Sequence, residues 1–76
     1  MDNATIKKYF EAVYDLDRID EEFGYTYART QAKFLSLKIE AILKDNSEPI
    51  DDDIYKEGIN LLSYLDDFQT AAEIVD

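Results

Sequence analysis

The stretch YTYARTQAKFLSLKIEAILK, residues 25–44, runs for twenty residues without a Gly or Pro. Within it Ala28, Ala32, Leu35, Ile39 and Ile42 recur at steps of four, three, four and three, the spacing of a helix with one buried stripe. Phe34, Leu37 and Ala41 fall on another side of the same helix. A helix apolar on two sides is as a rule central, touching neighbours on both flanks, and that is the expectation here. The other option is that one flank serves a partner chain.

Outward toward the N-terminus, Gly24 is a natural stop for the preceding segment. That segment opens with Asp2 or Asn3 as cap candidates and continues with Ile6, Tyr9, Phe10, Val13 and Leu16 at helical spacing, predicting a helix over about 3–22. Beyond Leu16 the pattern drifts. Asp17 and Asp20 fall where the stripe should continue, and Ile19 and Phe23 lie to one side. Either the helix ends near Arg18 or its last turn projects past the core.

Toward the C-terminus, Asp45 to Asp53 reads DNSEPIDDD, an acidic loop over about 45–51 with Asn46, Ser47 and Pro49 as turn chemistry. Asp51 or Asp52 can cap a third helix over about 52–75, whose stripe is Ile54, Gly58, Leu61, Leu65, Phe68, Ala72 and Val75. Gly58 costs about 1 kcal/mol of helix propensity relative to Ala, so its presence points to close packing against another helix. Only two Gly and one Pro punctuate the chain, which argues against a turn-rich β fold and for a few long helices. The predicted architecture is all-α, a single acidic domain in the form of a small three-helix bundle, with dimerisation open.

The 76 residues carry eight Lys and Arg against eighteen Asp and Glu, a net charge of −10. Hydrophobic residues make up 46% of the chain, too much for a disordered acidic tail. A domain this small buries only about 60% of its unfolded surface, so its stability depends on well-packed helices or an oligomer. The charge is uneven: by segment it is −4 over 1–24, +3 over 25–44 and −9 over 45–76. A basic middle helix is attracted to acidic neighbours on both sides, although each exposed pair contributes only about 0.2–1 kcal/mol.

Absences narrow the chemistry. No Cys means no disulfide, thiol nucleophile or zinc–thiolate site, and no His removes imidazole catalysis and the commonest metal ligand. The acids fall into three clusters: Asp15, Asp17, Asp20, Glu21 and Glu22; Asp45, Glu48, Asp51, Asp52, Asp53 and Glu57; and Asp66 with Asp67. A calcium loop needs oxygen ligands at alternating positions and Gly at the sixth. Counted from Asp15, the fifth and sixth positions are Ile19 and Asp20; counted from Asp45, they are Pro49 and Ile50. Both fail, leaving at most weak divalent binding by Asp51–Asp53. Acid–base catalysis needs carboxylates whose environments differ, and only Asp17 and Asp20 have a spacing that hints at partial burial, more simply explained by pairing with Arg18 or Arg29 or by a place past the core's edge. The chain is therefore expected not to be an enzyme and to hold no cofactor or metal.

The acidic surface carries the functional expectation. Carboxylates on rigid helices resemble a phosphate backbone to a protein that binds nucleic acid through Lys and Arg. The expected function is a non-catalytic, protein-binding inhibitor that occupies the basic site of a nucleic-acid-handling protein. Its contact residues are Asp15, Asp17, Asp20, Glu21, Glu22, Asp51, Asp52, Asp53 and Glu57, with Tyr14 and Tyr55 as aromatic anchors. Tyr25 and Tyr27 flank the turn beside Glu21 and Glu22. The plainer explanation of the same features is a solvated acidic face and tyrosines packed as core with a wet tip. Small size, acidity and helicity are shared in general terms by phage-encoded inhibitors of host enzymes, nucleic-acid mimics and toxin-neutralising immunity proteins, an analogy of class that no residue carries. The alternative function is an assembly module that self-associates through the helix over 25–44, with Phe34 and Leu37 as the contact. Direct binding to nucleic acid or to an anionic membrane is opposed by the charge. Without a signal-like or membrane-length apolar run, a cytoplasmic location is expected.

Overall fold

The computed structural model describes residues 2–45 and 50–75, the side chains of 72–75 excepted. The expected loop positions 46–49, and the stripe positions Ala72 and Val75 as side chains, lie outside the described residues. Among those described the chain is all-α, with helices α1 (Asn3–Tyr14), α2 (Leu16–Phe23), α3 (Tyr25–Lys44) and α4 (Asp52–Val75). The arrangement is a three-helix bundle whose first arm, α1 with α2, is broken in two. Its longest dimension, 41 Å, is close to the length of α4, about 36 Å at 1.5 Å per residue.

The break is the main departure from the helix predicted over 3–22. It neither ends near Arg18 nor projects past the core; it breaks at Asp15 and restarts. Asp is a weak helix former that favours helix ends. Asp15 sits at φ −87°, ψ −4°, where its N–H is shared between the carbonyls of Glu11 and Ala12, and its own carbonyl accepts from Ile19. Beyond the break α2 packs along α3, with Leu16 completely buried and Ile19 and Asp20 half-buried. At the start of α1, Asp2 is the cap: its Oδ1 accepts the Thr5 N–H at 2.8 Å. That backbone hydrogen bond holds the Asp2 carboxyl below its ordinary value.

Gly24 joins α2 to α3 without an intervening loop. Its N–H donates to Asp20 at 2.9 Å and its carbonyl accepts from Ala28 at 3.2 Å, so it closes one helix and opens the next. Its φ of +93° and ψ of 161° lie in a region open essentially to glycine alone.

The core is made of Ile6, Phe10, Val13 and Leu16 from the first arm, Ala28, Ala32, Leu35, Ile39 and Ile42 from α3, and Ile54, Leu61 and Leu65 from α4. The three apolar stripes therefore converge. Tyr9 and Phe68 are half-buried at the edge of the core. Tyr25 is also half-buried: its ring stacks on Phe68 with centroids 5.3 Å apart and its hydroxyl donates to the Phe68 carbonyl, tying the start of α3 to α4. The second apolar side of α3 is not covered, contrary to expectation. Phe34 is 49% exposed, Leu37 61%, and Ala41 is exposed as well. The first arm and α4 take the two flanks of the core stripe, and among the described residues no further element remains for the outer side.

Gly58 is the close-packing position its cost implied. A Cβ added there would stand 3.0 Å from Leu43 Cδ2 and 3.1 Å from Cδ1. Two stability outcomes follow from these glycines. Gly24→Ala lowers stability by about 1–3 kcal/mol in urea denaturation although nothing lies within 4 Å of the new methyl, because the loss is all backbone strain. D-alanine at the same position, which accepts this φ, restores it. Gly58→Ala in a Leu43→Ala background raises stability by about 1 kcal/mol through helix propensity, whereas with Leu43 present the displaced leucine offsets that gain.

Candidate protein-binding surface

Among the described residues, two hydrogen bonds span from the first arm to α4. The Tyr14 hydroxyl donates to Glu57 Oε1 at 3.2 Å, and the Tyr64 hydroxyl reaches Asp17 Oδ1 at 3.4 Å. Between them lies a shallow groove of about 360 Å³ lined by Val13, Tyr14, Asp17, Asn60, Leu61 and Tyr64. Local sequence places these side chains simply. With Leu16 turned inward, Asp17 and Glu21 share one flank of α2; with Leu61 and Leu65 inward, Asp53, Glu57, Asn60 and Tyr64 share one flank of α4. The two flanks meet across the groove, so acids more than thirty residues apart in sequence form one surface.

The other expected residues divide. Asp15 and Glu22 are held by Arg18, whose Nε and Nη2 reach the two Asp15 oxygens at 2.8 and 2.6 Å and whose Nη1 reaches Glu22 Oε2 at 2.8 Å. Hydrogen bonding to Arg18 lowers the Asp15 carboxyl, and the two carboxylates together hold the guanidinium further up. Arg18 thus bonds Asp15 and Glu22, and the Asp17 carboxylate accepts from Tyr64. Asp20 is half-buried close enough to Tyr64 for its charge to act on that phenol. Asp51 and Asp52 are exposed at the start of α4, where Asp52 and Asp53 complement the helix dipole and the Asp51 carbonyl accepts from Tyr55 N–H at 2.9 Å. Tyr14 is 64% exposed and stands on the groove. Tyr55 is exposed but lies about 160° round α4 from Glu57, away from the groove. Tyr64 was not among the expected anchors. Its spacing of seven residues from Glu57, two turns along one flank of α4, is the signal that would have found it.

No charged side chain among the described residues is buried, and no group of three or more acidic side chains among them converges as a metal site would require. No helix among the described residues is long and apolar enough to cross a membrane. The fold and the groove define a class, a small all-α domain with an acidic, tyrosine-edged face. Protein-family models, curated proteins and solved structures return no match to the chain.

Both groove tyrosines ionise above their ordinary value. Burial is the first cause for each, followed by Glu57 for Tyr14, and by Asp17 and then Asp20 for Tyr64. The folded chain holds these protons more tightly than the unfolded one. Their contribution to stability is therefore complete below about pH 10 and is lost as pH rises through the raised values. Glu57→Gln brings the Tyr14 ionisation back toward the ordinary value while leaving Tyr64 raised, read by phenolate absorbance with Tyr14→Phe and Tyr64→Phe variants assigning each step.

Proposed function

We propose that this chain is a non-catalytic protein-binding domain, an acidic mimic of nucleic acid that acts in the cytoplasm as an inhibitor of the phage or immunity type. Its target is a basic protein that handles nucleic acid. One observation carries this reading: the Tyr14–Glu57 and Tyr64–Asp17 hydrogen bonds join the carboxylates of α2 and α4 into one face. From Asp53 to Tyr64 that face extends about 16 Å along α4. It presents Asp53, Glu57, Asp17, Asp20 and Glu21, a charge density close to the one phosphate per about 3.4 Å of a single DNA strand. The cross-helix bonds hold the carboxylates in register before binding, which lowers the ordering cost of a charged interface. Tyr14 and Tyr64 add apolar area with a hydroxyl tip at low entropic cost. The Arg18 clamp on Asp15 and Glu22 leaves those two acids a smaller share of the contact.

The reading is tested by capture from the source cell's lysate on the tagged chain, with elution along a salt gradient. Captured nucleic-acid-binding proteins should leave at moderate salt and be displaced by DNA or RNA. The variant Asp17→Asn, Asp20→Asn, Glu57→Gln should lose them at least tenfold with unchanged helicity. Equal capture by that variant overturns the proposal.

A further inference from the structure

The outer side of α3 carries a second periodic stripe. Tyr27, Thr30, Phe34, Leu37 and Ala41 are all exposed, and they follow one another at steps of three, four, three and four. That is the a and d spacing of a coiled-coil seam. Before the helix it continues to Phe23, 60% exposed, whose ring lies 5.2 Å from that of Tyr27. Along one edge it opens into a groove of about 400 Å³ lined by Tyr9, Ala12, Ile19 and Phe34 among others. A continuous apolar strip of this kind on a soluble domain marks an interaction site.

The residues beside the seam select its occupant. In heptad terms Lys33 and Glu40 stand at g, and Gln31 and Lys38 at e. A parallel pair of α3 helices sets Lys33 against the partner's Lys38, a contact between like charges that occurs twice. An antiparallel pair, with its two-fold axis between residues 35 and 36, sets Lys33 against the partner's Glu40 and Gln31 against the partner's Lys38. In that register Phe34 faces the partner's Leu37, Thr30 faces the partner's Ala41 and Tyr27 faces the partner's Lys44, so the bulky central layers and the small layers beside them are matched and a charged side chain closes each end. No like charges meet.

The rest of the molecule agrees with this choice. Segment 25–44 carries the largest net positive charge of the helices, +3, whereas the acidic groove between the first arm and α4 lies on the side of the bundle away from the α3 seam. A two-fold through α3 keeps the acidic faces of two −10 chains far apart.

We infer that the exposed stripe of α3 is the interface of a symmetric homodimer in which two α3 helices pack antiparallel, Phe34 of each against Leu37 of the other, between reciprocal Lys33–Glu40 pairs. This inference rests on a different face from the proposed mimicry and stands whether or not that reading holds.

Sedimentation equilibrium of the purified chain across micromolar to millimolar concentrations tests it. The mass should rise toward twice the 8.8 kDa of one chain. Phe34→Glu combined with Leu37→Glu should remain at the monomer mass with unchanged circular dichroism, since both side chains are outside the core. Lys33→Glu and Glu40→Lys should each weaken dimerisation about tenfold by turning two attractive pairs repulsive, and the double exchange in one chain should restore it. Mass at the monomer value throughout, a dimer indifferent to the Phe34 and Leu37 changes, or a double exchange no tighter than the single ones overturns the inference. The charge exchange keeps the test decisive even if the glutamate pair disturbs folding.

Discussion

The structure depends on one constraint: the stripe Ala28–Ala32–Leu35–Ile39–Ile42 on α3 must be covered along its whole length by chain on both flanks. At its N-terminal end the stripe is two alanines, so α2 can lie close to α3, and Gly24 makes the reversal in a single residue. At its C-terminal end the leucine and isoleucines need wider partners, which α1 and the first half of α4 supply as Ile6, Phe10, Ile54 and Leu61. The first arm, residues 3–23, covers its flank of this stripe as two helices that meet at Asp15. The break falls at a residue type already inclined to end a helix.

Electrostatics act on a different scale. The ion pairs Arg18–Asp15, Arg18–Glu22 and Lys44–Glu40 are exposed and lie within four residues of sequence, so they support individual helices and contribute little to the assembly of the bundle. The long-range polar contacts at the acidic face are instead the two tyrosine hydroxyls on carboxylates. A neutral donor relieves a carboxylate's hydrogen-bonding need without cancelling its charge, so the bundle can bring α2 and α4 together and still present an acidic surface. A cation in the same place would have joined the helices equally well and erased the field.

The molecule consequently has two unlike sides. The groove side carries the acids and two tyrosines; the α3 side carries aromatic and aliphatic residues with the chain's positive segment. On the proposals made above, the α3 side serves association with a like copy and the groove side serves a basic partner. Their separation across the bundle lets one molecule use both, and a two-fold through α3 would set two acidic grooves facing outward. Paired grooves suit a target with two-fold symmetry or an extended basic track.

Much of this was legible in the residues. The three buried stripes, a cap at Asp2 or Asn3, the glycine stop at 24 and the close packing at Gly58 are local or periodic properties, and 3.6-residue periodicity is written directly into sequence. The candidate site was legible only in part. Clusters of acids can be counted along the chain, but the partnership of Glu57 with Tyr14, the place of Tyr64, and the distance of Tyr55 from the groove depend on which flanks meet. Likewise, sequence determined that α3 has two apolar sides; which of them is covered was decided by tertiary structure. A helix can be flanked on its core stripe by two neighbours, and the described chain supplies no third to reach the opposite side. Periodicity belongs to one helix and is therefore a property of sequence, whereas coverage and juxtaposition belong to pairs of helices and exist only once the bundle has closed.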